Sequence, residues 1–227
     1  YQTLREELIA AGHTFTTKSD TEVLLHGYEQ WGVDLLQRVR GMFTFVIWDK
    51  NKQELFGARD HFGIKPFYYA KMNGTFMYAS EIKSLLRHPD FVKELNAEAL
   101  KPYMTFQYPA IGETFFKGVY KLPEGHYFTY RDGKMDIHRY YDEDFREGKQ
   151  KLGELVNSID QTVCDSVKAH QIADVEVGSF LSSGVDSSYV AAVARPQHTY
   201  SIGFGKGTYN ESQQAGELAE LLKLNNT

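Results

Sequence analysis

The sequence predicts an α/β protein with two domains of different architecture. Residues 1–145 contain strand-like apolar segments separated by tight-turn signals, with helical patterns at the flanks. Residues 146–227 instead alternate between strand-like and helical patterns. Strands buried on both faces and flanked by helices favour a layered α/β/β/α body for the first domain. The alternation that follows predicts the first βαβα unit of a doubly wound parallel sheet.

The composition is that of an ordinary globular protein. The 227 residues are 42% hydrophobic and 24% charged, and the formal net charge of -5 gives no reason to expect nucleic acid or an anionic membrane as a partner. No apolar run approaches the ~18–20 residues that span a bilayer, and no signal peptide opens the chain. The single cysteine, Cys164, excludes an internal disulfide and fits a reducing cytosol. We therefore expect a cytoplasmic protein, with the oligomeric state, a homodimer included, left open.

Two helices are predicted at the start of the chain. The apolar spacing in residues 4–11, followed by Gly12, is typical of a helix with a glycine stop. Ser19 and Glu22 have the spacing of a capping box, which predicts a second helix that runs through Trp31.

The middle of the first domain is expected to be mostly β-structure. Residues 42–48 are almost all apolar, and their aromatic and β-branched content indicates a strand buried on both faces. Residues 54–59 form the next predicted strand. The dipeptides Asn73-Gly74 and Asp132-Gly133 each lie between strand-like segments and therefore predict tight hairpins.

A polar segment, residues 142–151, marks the predicted domain boundary, which we set between residues 145 and 146. Beyond it, a stripe of apolar residues predicts a long amphipathic helix that begins at Leu152. The elements predicted next are a strand at 175–181, a helix at 187–194, a strand at 199–204 and a helix at 211–224.

A serine-rich loop lies between the first strand and the first helix of this βαβα unit. Residues 182–188 read Ser-Ser-Gly-Val-Asp-Ser-Ser, without the Gly-Lys-Ser/Thr of a Walker loop. Hydroxyls and free N–H groups at a helix N-terminus bind phosphate oxygens, and ligands of open α/β sheets bind at the carboxyl ends of strands. Gly184 would let the backbone approach a polyphosphate, and Asp186 beside it would make sense as a Mg²⁺ ligand. The alternative is a turn that only caps the helix.

The same loop closely resembles the pyrophosphate loop of the glutamine-hydrolysing asparagine synthetase family. Segments similar to this family occur along essentially the whole chain and in the family's order. They are residues 19–23, 40–43, 58–68, 79–85, 174–188, 199–204 and 209–212.

The resemblance implies a fold and an activity for each domain. The first would have the N-terminal-nucleophile hydrolase fold and release ammonia from glutamine, and the second would be the start of an ATP-pyrophosphatase domain. There the side-chain carboxylate of aspartate would attack the α-phosphate of ATP, giving β-aspartyl-AMP and Mg-pyrophosphate. Ammonia would then displace AMP and yield asparagine. The implied small-molecule partners are glutamine, aspartate and ATP, with Mg²⁺.

The resemblance also implies roles for residues of this chain. Asp20 matches the carboxylate that holds the α-amino group of glutamine. Leu181 and Ile202 match positions that contact the adenosine part of ATP. The implied ATP- and pyrophosphate-binding residues are Leu181, Ser182, Ser183, Gly184, Val185, Asp186, Ser187 and Ile202, and Asp186 is also the implied Mg²⁺ ligand. Ser183 stands where the family more usually has glycine, so its φ must suit a side chain.

No catalytic nucleophile is expected within this chain. The family's nucleophilic cysteine would lie before Tyr1, and the later part of the ATP and aspartate site would lie after Thr227. We therefore expect the 227 residues alone to be inactive. Cys164 lies inside a predicted helix and is expected to be a packing residue.

Two alternatives remain open from the sequence. One is an amide-forming relative of the β-lactam synthetase kind that keeps the ATP loop without glutaminase activity, and the other is a non-catalytic homologue. Outside the loop, Arg59 and Asp60 are expected to make structural contacts, and Lys65 to fix a loop. The eight histidines show no metal-ligand spacing, which leaves zinc unsupported.

Overall fold

A computed structural model describes residues 1–203 and 211–227. The chain divides into two compact units, Tyr1–Phe145 and Arg146–Thr227, and each is described by itself. Phe204, at the end of one predicted strand, and Tyr209 and Asn210, in the last segment of the family resemblance, lie outside the described residues.

The larger sheet of the first unit has four antiparallel strands in the order β1-β2-β6-β7. The remaining three strands of this unit form a second antiparallel sheet in the order β4-β3-β5. In chain order the strands are β1 Thr44–Asp49, β2 Glu54–Arg59, β3 Tyr68–Met72, β4 Thr75–Ala79, β5 Val119–Lys121, β6 His126–Arg131 and β7 Lys134–Arg139. The bounds of β2 are those predicted from the sequence.

Helices cover the outer faces of both sheets. Those of the first unit are α1 Gln2–Ala10, α2 Asp20–Trp31, α3 Ile82–Leu85 and α4 Leu100–Phe106, with short 3₁₀ turns at Gly32–Gln37 and Ala97–Ala99. Leu35 and Leu36 pack against Phe56 on one face of the four-stranded sheet. On the second sheet, Leu85 packs against Met77.

The two sheets pack against each other through a third apolar cluster. Phe67, Leu122 and Phe128 form its buried centre, and partly buried residues of both sheets surround it, among them Leu55 of β2 and Phe76 of β4. The order of layers is therefore helix, sheet, sheet, helix, which confirms the predicted layered α/β class.

Both predicted hairpins form, and their turns have the backbone that the dipeptides favour. Asn73 and Gly74 have φ values of 49° and 82°, and Asp132 and Gly133 have φ values of 51° and 75°. Two successive positive φ angles define the type I′ turn, which asparagine or aspartate followed by glycine adopts with least strain.

One predicted strand packs on both faces, with Phe45 in one apolar cluster and Val46 in another, but it is less buried than its apolar sequence suggested. The strand forms at Thr44–Asp49 and lies at the edge of its sheet, where β2 is its one neighbour among the described strands. Its residues are half-buried, and Trp48 is 47% exposed. An edge position leaves one long side of a strand without a partner, so an all-apolar sequence does not by itself place a strand at the centre of a sheet.

The second unit is built around a parallel sheet. Its strands are β8 Ser179–Phe180, β9 His198–Tyr200 and β10 Asn225–Asn226, in the order β10-β9-β8. Helices α5 Leu152–His170, α6 Val185–Ala194 and α7 Ser212–Leu222 complete the unit. One helix lies between each pair of consecutive strands, and both strand pairs are parallel. The expected βαβα connectivity is therefore confirmed.

The first strand of this unit is shorter than predicted. Only Ser179 and Phe180 pair with β9, whereas residues 175–178 lie outside the strand and Val175 is 78% exposed. β8 is an edge strand next to a strand of three residues, so few backbone groups are available for pairing. Among the described residues, no helix combines the length and apolar content needed to cross a bilayer.

Candidate functional site

The serine-rich loop begins just after β8, where hydrogen bonds fix the position of Leu181. Leu181 is buried, and its N–H donates to the carbonyl of Tyr200 at 2.9 Å. Its own carbonyl accepts from Ser201 Oγ at 2.8 Å. The loop therefore leaves the sheet at the carboxyl end of β8, beside the carboxyl end of β9, where ligands of open α/β sheets bind.

Two of the three serines expected to bind the pyrophosphate are brought together. Ser182 Oγ lies 2.8 Å from Ser187 Oγ, and Ser182 N–H donates to Ser187 Oγ at 3.2 Å. The N–H of Gly184 donates to Ser182 Oγ at 3.2 Å. These contacts fold residues 182–187 into a compact turn with both hydroxyls on the inside.

The turn leads directly into helix α6. Gly184 is the N-cap residue, and the helix starts at Val185, two residues before the predicted start. No side chain of the described residues caps this end, so N–H groups of the first turn are available for an anion. Asp186 lies in this first turn and is exposed. An exposed carboxylate beside serine hydroxyls is an oxygen-only donor set, which fits the hard Mg²⁺ ion.

The serine at position 183 fits its place. Positive φ among the non-glycine residues occurs elsewhere in the chain, and Ser183 therefore adopts a backbone that any L-residue accepts.

Two residues of this region were missed by sequence reasoning. Ser183 N–H donates to Glu211 Oε2 at 3.3 Å, which joins the loop to the residue before α7. Ser201 holds the strand end, as described above. A polar residue just beyond the carboxyl end of β9 was the available signal for Ser201. For Glu211, the segment that contains it was noted only as a helix start.

A cleft of about 310 Å³ opens beside the loop. Its volume lies at the lower end of the range of small-molecule sites. Leu181 and Ile202, the two positions expected to contact adenosine, both line it, and Ile202 is 66% exposed. The other lining residues are Phe180, Ser182, Ser187, Tyr200, Ser201, Glu211 and Ser212. The cleft thus combines an apolar wall with a polar side at the helix N-terminus.

Asp20, the implied glutamine ligand, lies in the first unit at the start of α2. It is exposed, and its Oδ1 accepts from the hydroxyls of Ser19 and Thr21 at 3.3 and 3.4 Å. Ser19 Oγ caps the helix by accepting from Thr21 N–H at 3.1 Å. The carboxylate is therefore presented at a helix N-terminus, with both neighbouring hydroxyls directed towards it.

The predicted capping box does not form at this helix. Glu22 turns away from the N–H of Ser19, and its carboxylate accepts from the N–H and hydroxyl groups of Thr16 and Thr17. The Glu22 carboxylate thus accepts four hydrogen bonds from the preceding loop, whereas a capping box would give it only the N–H of Ser19. Glu22 thus fixes the loop that leads to Asp20.

Stability of this loop should depend on pH through Glu22. Hydrogen bonds from Thr16 and Thr17 lower the pKa of Glu22 from 4.5 to about 2. A lowered native-state pKa adds stability that is present above the unfolded pKa and is lost as pH falls through the native one. We expect the melting-temperature gap between wild type and Glu22→Gln to close as pH falls from about 5 to 2. Thermal melts across this range measure it, with exposed Glu6→Gln as the control. A constant gap would contradict the ionic role.

Arg59 and Asp60 make structural contacts, as expected. Asp60 is buried, and its carboxylate accepts from the N–H groups of Phe62, Ile64 and Lys65 at 3.2, 2.9 and 2.9 Å. It thereby closes the turn after β2.

Arg59 is buried beside this turn, and its guanidinium donates to three carbonyl oxygens. They belong to Lys65, Leu122 and Gly63, at 2.7, 2.6 and 2.5 Å. Burial lowers the pKa of Arg59, but a guanidinium remains charged in proteins. Arg59 therefore joins the turn to the residues that precede β6.

Comparison with known proteins matches two parts of the chain to two families. Residues 1–141 match the family described as glutamine amidotransferase domain, and residues 158–227 match the family described as asparagine synthase. The first match covers well over half of the chain, and the chain belongs to the glutamine amidotransferase family.

Among individual proteins, the chain is similar to asparagine synthetases. It is 42% identical over 231 residues to asparagine synthetase [glutamine-hydrolyzing] 1 of Bacillus subtilis, covering 100% of this chain and 36% of the relative. It is 38% identical over 240 residues to a putative asparagine synthetase of Mycobacterium tuberculosis, covering 98% and 36%. The chain thus spans about a third of the length of these relatives, and the family resemblance seen in the sequence is confirmed.

Among solved structures, the chain is similar to the glutamine phosphoribosylpyrophosphate amidotransferase of Bacillus subtilis. The TM-score is 0.42 and the sequence identity 17%, over 100% of this chain and 42% of that one.

Proposed function

We propose that this chain takes part in the glutamine-dependent synthesis of asparagine in the cytoplasm. Residues 1–145 belong to the domain that takes ammonia from glutamine, and residues 146–227 to the domain that activates aspartate with ATP. The observation that carries the proposal is the serine-rich turn at the carboxyl end of β8, which faces a cleft lined by Leu181 and Ile202. It occurs in a chain whose other unit is a glutamine amidotransferase domain.

The chemistry of the second unit follows from these positions. Leu181 and Ile202 bind the adenosine part of ATP, and the N–H groups at the start of α6 bind the pyrophosphate with Ser182 and Ser187. Of the remaining cradle positions, Val185 offers its backbone N–H from the first turn of α6. The N–H groups of Ser183 and Gly184 donate to Glu211 and Ser182 and would exchange these partners for phosphate oxygens when the ligand binds. A carboxylate accepts ammonia poorly, so aspartate first becomes β-aspartyl-AMP by attack on the α-phosphate, and pyrophosphate leaves into the cradle.

Asp186 is the residue that would hold Mg²⁺ at this cradle. When bound, the ion supplies positive charge that neutralises the pyrophosphate oxygens. The carboxylate contributes a hard oxygen ligand from the first turn of α6, and its exposure leaves room for the phosphate oxygens and waters that this ion retains.

Substitution of Asp20 should impair the use of glutamine and leave the use of ammonia intact. In the full-length gene product, Asp20→Asn should lower kcat/KM for glutamine roughly ten- to a hundredfold, since a charge-assisted hydrogen bond to an ammonium group contributes ~1.5–3 kcal/mol. Synthesis from added ammonia should stay near the wild-type level. Steady-state assays with each nitrogen source on one preparation give both numbers.

The control for this experiment is Asp34→Asn, which alters another Asp of the first unit, in the 3₁₀ turn after α2. It should leave both activities unchanged. An equal loss with glutamine and ammonia in Asp20→Asn would assign Asp20 to helix capping and remove it from the glutamine site.

A further inference from the structure

Two histidines and a glutamate of the first unit direct their ligand atoms to a common point. His13 Nδ1 lies 3.2 Å from His26 Nδ1, and His26 Nδ1 lies 2.9 Å from Glu29 Oε2. The third side of the triangle, from His13 Nδ1 to Glu29 Oε2, is 3.9 Å. This cluster, His13–His26–Glu29, is separate from both Asp20 and the serine-rich loop.

The backbone holds each member of the cluster in place. His13 follows the end of α1, where its N–H donates to the carbonyl of Leu8 at 3.0 Å. Gly12 before it has a φ of 100°, which permits the chain to turn there. His26 and Glu29 are three residues apart on α2 and therefore share one face of that helix.

From this geometry we infer a binding site for a divalent transition metal, with zinc as the best fit. A tetrahedral Zn²⁺ with bonds of about 2.0–2.1 Å separates its ligand atoms by roughly 3.3–3.4 Å. The three observed separations of 2.9, 3.2 and 3.9 Å bracket this value, so small side-chain rotations suffice. Two imidazoles and a carboxylate with an open fourth position are a set that zinc accepts.

The second ring nitrogen of His13 has the kind of partner that metal-binding histidines use, and that of His26 faces a carboxylate at a longer distance. His13 Nε2 lies 2.9 Å from Gln30 Oε1, an acceptor only, which places the ring proton on Nε2 and leaves a lone pair on Nδ1. His26 Nε2 lies 3.8 Å from Glu22 Oε1. When a metal takes Nδ1 of His26, the ring proton sits on Nε2 and faces this carboxylate. A hydrogen-bonded outer partner orients a metal-binding ring and raises its basicity as a ligand, and His13 has one in Gln30.

The burial of the cluster suits a bound ion with one open side. The side chains of His13 and His26 are 17% and 19% exposed, whereas that of Glu29 is 56% exposed. Phe15 packs edge-on against His26, with ring centroids 4.8 Å apart. The ion is therefore held between a loop and a helix, and water can complete its coordination.

A metal bound here would link the segment between α1 and α2, which leads to Asp20, to helix α2. His13 belongs to the segment between α1 and α2, and Glu22, which faces His26, also accepts from Thr16 and Thr17 in that segment. The inference stands apart from the proposed function, because the test below measures metal binding and not turnover. It departs from the sequence expectation about zinc, since the ligands join a loop to a helix and have no regular spacing.

Zinc titration of the chelator-treated full chain by isothermal calorimetry tests the site. We expect one Zn²⁺ per chain with a dissociation constant of about 1 μM or lower. Glu29→Gln and His13→Asn should each weaken binding by at least about tenfold, the smallest effect usual for residues that support a metal. The matched control His170→Asn, an exposed histidine of α5, should bind as the wild type does. Cobalt absorption bands of a tetrahedral site should appear in the wild type and weaken in both cluster variants.

Three results would overturn the site. They are no zinc uptake at roughly 100 μM, wild-type affinity in both cluster variants, or loss of binding in His170→Asn alone. The first would leave the cluster as a hydrogen-bonded group only, and the other two would place the metal elsewhere. Glu29 is largely exposed, so Glu29→Gln keeps the test valid if His13→Asn fails to fold, which circular dichroism checks.

Discussion

Replacing Asp186 with asparagine should lower asparagine formation by the full-length gene product at least ~10²-fold, with either glutamine or ammonia as nitrogen source. Asparagine keeps the size of the side chain and removes its negative charge. That charge matters most as pyrophosphate leaves, because Asp186 would hold the ion that neutralises the leaving group. The side chain is exposed in the first turn of α6, so folding should be affected much less than catalysis.

Glutamine hydrolysis by the same preparation is the internal control and should persist, because in the proposed function a different domain performs it. Asp165→Asn, an exposed aspartate of α5, should leave both activities unchanged. Product formation, glutaminase activity and melting temperature are measured side by side. Normal synthesis in Asp186→Asn would remove this residue from the site, and loss of both activities with a collapsed melt would make its role structural.

Replacing Arg59 with methionine should destabilise the first unit by about 3–5 kcal/mol, the scale seen when one partner of a buried charged network is removed. Methionine fills much of the volume, but the carbonyls of Lys65, Leu122 and Gly63 lose their donor. The bond to the carbonyl of Leu122 is buried, and a buried acceptor left without a hydrogen bond costs about 1–3 kcal/mol. The carbonyls of Lys65 and Gly63 are only partly buried, so losing their donor costs less. Relief of the desolvation of the guanidinium offsets part of this cost.

The measurement is urea unfolding followed by tryptophan fluorescence. Both tryptophans, Trp31 and Trp48, belong to the first unit, so the signal reports that unit. The control is Arg131→Met, which removes an exposed arginine from β6 whose ion pair with Asp132 is at the surface. It should change the free energy of unfolding by no more than ~1 kcal/mol. Equal effects of the two substitutions would contradict the role given to Arg59.

The parts of the fold that the sequence predicted are those decided by nearby residues. Asn-Gly and Asp-Gly specify a turn through their own φ preferences, and both hairpins form where they were expected. The bounds of β2 and the helix after Ser19 were also recovered. By contrast, the edge position of β1 depends on which strands pair with it, and the partner of Glu22 depends on how the preceding loop folds back. Neither is encoded within a short window.

The same limit applies to the candidate sites. The turn at 182–187 was visible because its residues are contiguous. Glu211 accepts a hydrogen bond from Ser183, although it lies 28 positions further along the chain. The fold brings it to the loop because α7 packs back towards the sheet. His13 and His26 are 13 positions apart, with no period that a sequence reveals. In each case the two residues are close in space but far apart along the chain.

In the four-stranded sheet, with strand order β1-β2-β6-β7, the strand pairs differ in how much chain entropy their formation costs. The β1–β2 and β6–β7 pairs are hairpins, and short loops of this kind form within microseconds. The β2–β6 pair instead joins Leu55 to Tyr130, so the whole second sheet lies in the intervening loop. Loop-closure entropy rises by about 0.6 kcal/mol for each doubling of length, a cost of roughly 2 kcal/mol beyond that of a hairpin. If the three-stranded sheet β3–β5 folds first, it shortens this loop. The three-stranded sheet would then speed the pairing of β2 with β6 in the four-stranded sheet.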